Sequence, residues 1–150
     1  PHVDVAPDRL PLALEEFFVG ETEGHGRFES RLARVDRRFR VSTRGAWDGR
    51  TLTLEESFAF EDGERDRRTW RFTKTGPGRY EGTREDVVGK AAVWREGPAL
   101  RMSYVADLGA ARVRFRDVIV GEGGDRALNR AVVSLLGLPV GTVEVLFERR

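Results

Sequence analysis

The sequence predicts an all-β chain folded as a single antiparallel up-and-down barrel of about eight to ten strands with a short N-terminal helix. Three observations carry this. From Arg27 onward, apolar and polar residues alternate with a period of two. Turn signals recur at regular short spacing: Trp47-Asp48-Gly49-Arg50, Glu61-Asp62-Gly63-Glu64, Thr75-Gly76-Pro77-Gly78, Glu96-Gly97-Pro98, Leu108-Gly109 and Gly121-Glu122-Gly123-Gly124. And Thr51–Phe60 and Arg65–Lys74 read as a matched hairpin. Closing such a sheet removes its exposed edges, and consecutive hairpins are the simplest route to closure.

The elements follow in order. Residues 1–11 hold three prolines and read as an irregular lead-in to a barrel domain over 12–150. Leu12 to Val19 reads as two helical turns, started at Asp8 or Pro11 and stopped by Gly20. Gly20, Gly24 and Gly26 are then expected to break the backbone ahead of the first strand. Ten strands are expected at 26–34, 37–46, 50–60, 65–75, 78–85, 88–95, 99–107, 111–120, 126–135 and 142–149. Segment 126–138 could also line a helix capped by Asp125. The strand is preferred because strands with short loops flank it.

Composition limits the function. Charged residues make up 34% of the chain but the net charge is +1, so no global field favours nucleic acid. No apolar stretch approaches the roughly 20 residues of a membrane-spanning helix. Cysteine is absent, which excludes disulfides, thiolate catalysis and thiolate metal sites. The two histidines, His2 and His25, do not make a metal site, which wants three or four ligands. No Gly-x-Ser-x-Gly elbow accompanies them. Gly121–Gly124 lacks the Lys-Ser/Thr ending of a phosphate loop and reads as a hairpin turn. No catalytic residue, metal or cofactor is assigned.

The candidate site lies on the inner face. Leu52, Leu54, Phe58 and Phe60 share a face with Trp70 and Phe72, and Glu56 and Arg68 stand where apolar residues belong. A three-residue hairpin loop is read as setting Glu56 opposite Trp70 and Phe58 opposite Arg68, with Glu56 and Arg68 diagonal neighbours. Met102, Tyr104, Phe115 and Asp117 face inward on later strands, while Arg112, Arg114 and Arg116 face out. Glu56, Arg68, Tyr104, Asp117, Asn129 and Arg130 form the polar set, and Leu54, Phe58, Trp70, Phe72, Met102 and Phe115 the apolar wall. Trp47 is expected to pack on a barrel end and Trp94 to line or plug the cavity. Buried charges must be paired, so a salt-bridge network closing a filled barrel competes evenly with a ligand's polar grip.

Several segments resemble the bacterial domain of unknown function family 3833. They include Leu14–Gly20, Gly45–Gly49 with Thr51–Leu54, Thr73–Thr83, Asp86–Gly89, Phe115–Asp117, Leu128–Ala131 and Gly137–Gly141. The likeness spans nearly the whole chain. It implies a lipocalin-like, calycin-type barrel, and an exported or lipid-anchored protein that handles a lipid or other hydrophobic molecule. Periplasmic or membrane-anchored localisation, through a segment ahead of Pro1, is the matching expectation. The chain departs from the family at His25-Gly26 and Val118-Ile119-Val120, where aromatic residues are expected, which points to a different ligand or a wider cavity.

The leading functional expectation is non-enzymatic binding of a lipid-like or other small hydrophobic ligand. A cyclase- or isomerase-type enzyme using the carboxyl of Glu56 or Asp117 is the alternative, followed by a filled-barrel structural factor at a membrane surface. A haem barrel would need His25 as axial ligand and ranks last.

Overall fold

A computed structural model describes residues 12–150. A single helical turn, α1 (Leu14–Phe17), precedes ten strands: β1 (Gly20–Ser30), β2 (Val35–Trp47), β3 (Thr51–Phe60), β4 (Arg65–Gly76), β5 (Arg79–Thr83), β6 (Val87–Glu96), β7 (Ala99–Asp107), β8 (Arg112–Gly121), β9 (Arg126–Leu135) and β10 (Leu138–Arg149). Each strand pairs antiparallel with its sequence neighbours, and β10 returns to β1, so the sheet is a closed barrel with no free edge. Segment 126–135 is a strand. The proposed helix starters Asp8 and Pro11, and the lead-in itself, lie outside the described residues.

Alternation decides which side chains fill the barrel. Val41, Leu52, Leu54, Trp70, Phe72, Tyr80, Val93, Leu100, Met102, Val133 and Val145 are among those buried inside. The predicted break at Gly24 and Gly26 does not occur, because β1 runs straight through both. A Cβ at Gly24 would come within 2.7 Å of Val41 and 2.9 Å of Val145, and one at Gly26 would overlap the Phe39 ring. These glycines make room for side chains from facing strands.

The β3–β4 register also differs from expectation. Phe60 N–H donates to the Glu64 carbonyl across the turn, which sets Glu56 against Arg68, Leu54 against Trp70 and Phe58 against Asp66. This is two residues from the register read in the sequence. A shift of two preserves the apolar faces, so hydrophobic matching alone does not separate the two.

The barrel has unlike ends. At the end where β1 begins and β10 finishes, α1 forms a plug. Phe18 meets Phe17 and Phe147 edge to face, with ring centroids 4.9 and 5.3 Å apart. Glu15 accepts hydrogen bonds from Lys74 Nζ (2.6 Å) and Tyr80 Oη. Burial opposes its charge, but those two bonds outweigh burial and hold the carboxyl below its ordinary pKa. Arg95 donates to the Leu12 carbonyl at 2.5 Å. At the opposite end, the mouth, Phe28, Phe39, Phe58, Phe115, Val140 and Val143 are only partly buried, and the rings of Phe39, Phe58 and Phe60 pack on one another at 5.8, 5.5 and 6.2 Å.

Candidate functional site

Arg84 is the centre of the interior. It follows Tyr80 and Gly82 in the inward parity of β5, one residue past the strand's end. Its guanidinium lies 4.6 Å from the Trp70 ring centroid and 5.3 Å from that of Tyr104. It donates twice to Asp86, Nε to Oδ1 at 2.6 Å and Nη2 to Oδ2 at 2.9 Å. The fork is thus held by a bidentate carboxylate and two aromatic faces. Arg68, half-exposed nearer the mouth, pairs with Asp66 at 2.9 Å and reaches Asp86 at 4.0 Å.

Two carboxyls are less well served. Glu56 is 9% exposed, and its nearest cation is Arg84, at 3.9 Å. Asp117 is 5% exposed. Burial pushes both pKa values up to about 7; Arg84 offsets this in part at each site, and a hydrogen bond from Asn129 does so at Asp117. Glu56 Oε1, Asp117 Oδ1 and Asn129 Oδ1 are buried with no hydrogen-bond partner among the described residues. Asn129 Oδ1 is an acceptor throughout, and the two carboxyl oxygens are acceptors in the ionised form that prevails above pH 7. The inward cations are already committed to Asp86 and Asp66, so the unmet capacity of this site is for donors.

Tyr104 lies among these groups. Burial raises its hydroxyl pKa well above the ordinary value, and the charge of Asp117 adds to the rise. Its ring stacks on Phe115, centroids 5.0 Å apart, and meets Trp70 edge to face at 5.2 Å. Trp70 stacks on Phe72 at 4.8 Å. The aromatic ladder runs from the plug to the mouth past the polar cluster.

Eleven of the twelve sequence-nominated residues carry the inward parity of their strands: Leu54, Glu56, Phe58, Arg68, Trp70, Phe72, Met102, Tyr104, Phe115, Asp117 and Asn129. Arg130 does not. It follows Asn129 in β9, so alternation turns it outward, where Nε binds Glu144 Oε2 at 2.8 Å. Trp94 is also on the outer wall. It follows inward Val93, and its Nε1 donates to Glu96. Arg84 and Asp86 are the residues the sequence reading missed, although extending the parity of Tyr80 and Gly82 by one step points to Arg84. His25 faces out between Arg40 and Leu146, away from the interior an axial haem ligand would need.

A separate groove of about 1360 Å³ crosses the outer wall. Outward residues of β1, β2, β8, β9 and β10 supply most of its lining, including Arg27, Arg38, Arg40, Arg116, Arg130 and Val132. Among the described residues no group of three or more His, Cys, Asp or Glu could hold a metal ion.

A closed ten-stranded antiparallel up-and-down barrel, plugged at one end and carrying polar groups beneath an apolar mouth, defines a lipocalin-like β barrel. The chain belongs to the family described as "Protein of unknown function (DUF3833)", whose model matches residues 3–149. No curated protein matches it in sequence. Its fold is similar to that of the S-type phycobiliprotein lyase CPES from Guillardia theta, with a TM-score of 0.66, 11% identity and 93% of each chain covered. A de novo designed fluorescence-activating β barrel aligns at a TM-score of 0.49 with 12% identity, covering 93% of this chain and 99% of its own. At those identities the likeness is one of fold.

Proposed function

We propose that the protein binds a small hydrophobic, lipid-like molecule inside the barrel without transforming it. The apolar part lies along Leu54, Phe58, Trp70, Met102 and Phe115, and the polar end meets Glu56, Asp117 and Asn129 beside Arg84. One observation carries the reading: three buried acceptors without partners lie beneath a half-buried aromatic mouth. A mostly apolar pocket with a few convergent polar groups is how proteins hold such ligands. The acceptors further favour a polar end that donates, such as a hydroxyl or an amine. The similar barrel from Guillardia theta is named a phycobiliprotein lyase, which supports a small-molecule role for this architecture.

Tryptophan fluorescence titrated with dodecanol, dodecylamine and dodecanoate tests this in solution. Saturable binding is expected, with the alcohol or amine favoured over the carboxylate by about tenfold, the cost of leaving a buried acceptor unmet. No saturable response to any of the three overturns the reading. Arg68→Ala is expected to weaken binding by more than it lowers Tm. Equal loss of both supports a salt-bridge network in a filled barrel.

One observation favours a second reading. Two inward carboxyls poised near neutrality, beside Tyr104, suit proton transfer in a cyclase- or isomerase-type reaction. If a substrate is found, Glu56→Gln retaining full turnover removes that residue as acid or base.

A further inference from the structure

The exposed large apolar side chains are unevenly placed. Leu32 (80% exposed), Leu108 (55%), Leu136 (95%) and Leu138 (70%) all stand at the mouth end. They belong to the β1–β2, β7–β8 and β9–β10 turns or the residue that follows. Because the barrel order runs β7, β8, β9, β10, β1, β2, these turns are successive tips along one side of the mouth. Of the two remaining tips at this end, Glu61–Glu64, next to the β1–β2 turn, is acidic and is tied down by Arg37, which binds Asp62 at 3.0 Å and Glu64 at 2.7 Å, and the β5–β6 tip carries Arg84 and Asp86.

Charge follows the same side. Leu32 lies between Arg31 and Arg34, both exposed and without an ion pair among the described residues. The outer groove begins at the β9–β10 tip, where Gly137 and Pro139 line it, and runs down the wall beneath these turns. Its lining holds six arginines; Arg27, Arg101 and Arg130 are ion-paired with Asp36, Glu96 and Glu144, which leaves Arg38, Arg40 and Arg116 without an ion pair among the described residues. Leu136 is also held at φ 50°, a left-handed conformation unfavourable to a leucine, at the tip where glycine would be expected.

We propose that this side of the mouth is a docking face for an anionic lipid bilayer: the leucine tips enter the interfacial region while Arg31, Arg34 and the groove's unpaired Arg38, Arg40 and Arg116 meet lipid phosphates. Separate leucines on protruding turns, with basic residues behind them, suit a deformable interface into which apolar groups sink and where phosphates await. They do not form a continuous flat patch for a folded partner. The closed sheet offers no edge for strand addition by a peptide. Docked this way, the mouth opens toward the acyl region. That consequence rests on the ligand reading above, but the docking itself does not.

Flotation of the protein with vesicles tests the proposal. Vesicles of phosphatidylcholine alone are compared with vesicles containing about 30% phosphatidylglycerol, at low and high salt. The protein is expected to float with the anionic vesicles and to lose partitioning in salt. Replacing Leu32, Leu136 and Leu138 together by Ser should reduce partitioning at least tenfold, and Arg31→Ser with Arg34→Ser should reduce it about fivefold per charge. Val19→Ser, at the plugged end, should leave it unchanged. Tm and circular dichroism of each variant keep loss of fold apart from loss of docking.

Any of four results overturns the proposal: no flotation of the unaltered protein; flotation indifferent to the leucines; equal loss in Val19→Ser; or a dimer in solution that the leucine variant dissolves, which would assign the face to a second copy. The ligand reading is scored separately by the fluorescence titration without vesicles. Either can therefore fail alone.

Discussion

Arg84 shows how one residue organises an interior. Its guanidinium stacks near Trp70, and its fork onto Asp86 uses two of its five N–H donors. Asp86 is correspondingly held low: burial opposes its charge, but the bonds and charge of Arg84 prevail. Glu56 and Asp117 gain less from the same cation and sit near 7. In the folded state both carboxyls keep a proton at pH values where the unfolded chain has lost it. Folding therefore binds protons between about pH 4 and 7, and stability falls as pH rises through that window. The carboxyls held low, Glu15 and Asp86, act oppositely and lose their contribution only as pH falls below the ordinary carboxylate range. Tm is thus expected to be higher near pH 5 than near pH 8. Asp117→Asn should flatten this slope and stabilise the protein at pH 8 by about 1–3 kcal/mol. Identical pH profiles for the two proteins would contradict that charge assignment.

At the scale of elements, α1 is held by tertiary contacts, since four residues form no stable helix alone. Leu14, Phe17 and Phe18 are buried against the barrel end, and Glu15 is clasped from β4 and β5. Gly45 in β2 lets the Phe18 carbonyl approach so closely that any Cβ there would overlap it. Backbone cannot yield as a flexible side chain does. Gly45→Ala is expected to destabilise the protein by about 1–3 kcal/mol, as overpacking does, read as a lower urea midpoint. Glu15→Ala leaves Lys74 and Tyr80 without their shared acceptor and should free the plug. Faster amide exchange at the start of β1, with the β7–β8 pairing unaffected, is the expected signature. Uniform loss of protection would show instead that plug and barrel unfold as one unit.

Across the whole molecule, the two ends divide the work. The plug seals one end with aromatic edges and the part-buried Glu15–Lys74 ion pair. The other has partly buried phenylalanines inside, packed ring on ring, and exposed leucines on three adjacent tips. If the ligand enters by the mouth, closing the opposite end should not affect exchange. A Phe28→Trp probe inside β1 is expected to respond to dodecanol at the same rate in Glu15→Ala as in the parent, measured by stopped flow. Faster exchange on loosening the plug would place the entrance at α1 instead.

Much of this architecture was legible in the chain itself. Alternation and turn spacing are local signals, and they sufficed for ten strands, the short helix and the inward parity of Glu56, Arg68, Tyr104, Asp117 and Asn129. Parity also argued against Arg130 and Trp94: each follows an inward residue, and their chemistry, not their position, nominated them. What local signals did not contain was distance between strands. The β3–β4 register, offset by two, leaves the same faces apolar, so only the backbone geometry of the turn could choose it. The glycines of β1 looked like breaks because the residues they accommodate, Val41, Phe39 and Val145, come from other strands. The pairing of Arg84 with Asp86, the unmet acceptors at Glu56 and Asp117, and the gathering of four leucines on one side of the mouth exist only once the sheet closes. Closure brings together residues as far apart in sequence as Leu32 and Leu136, and no periodicity within a strand records which strands will be neighbours.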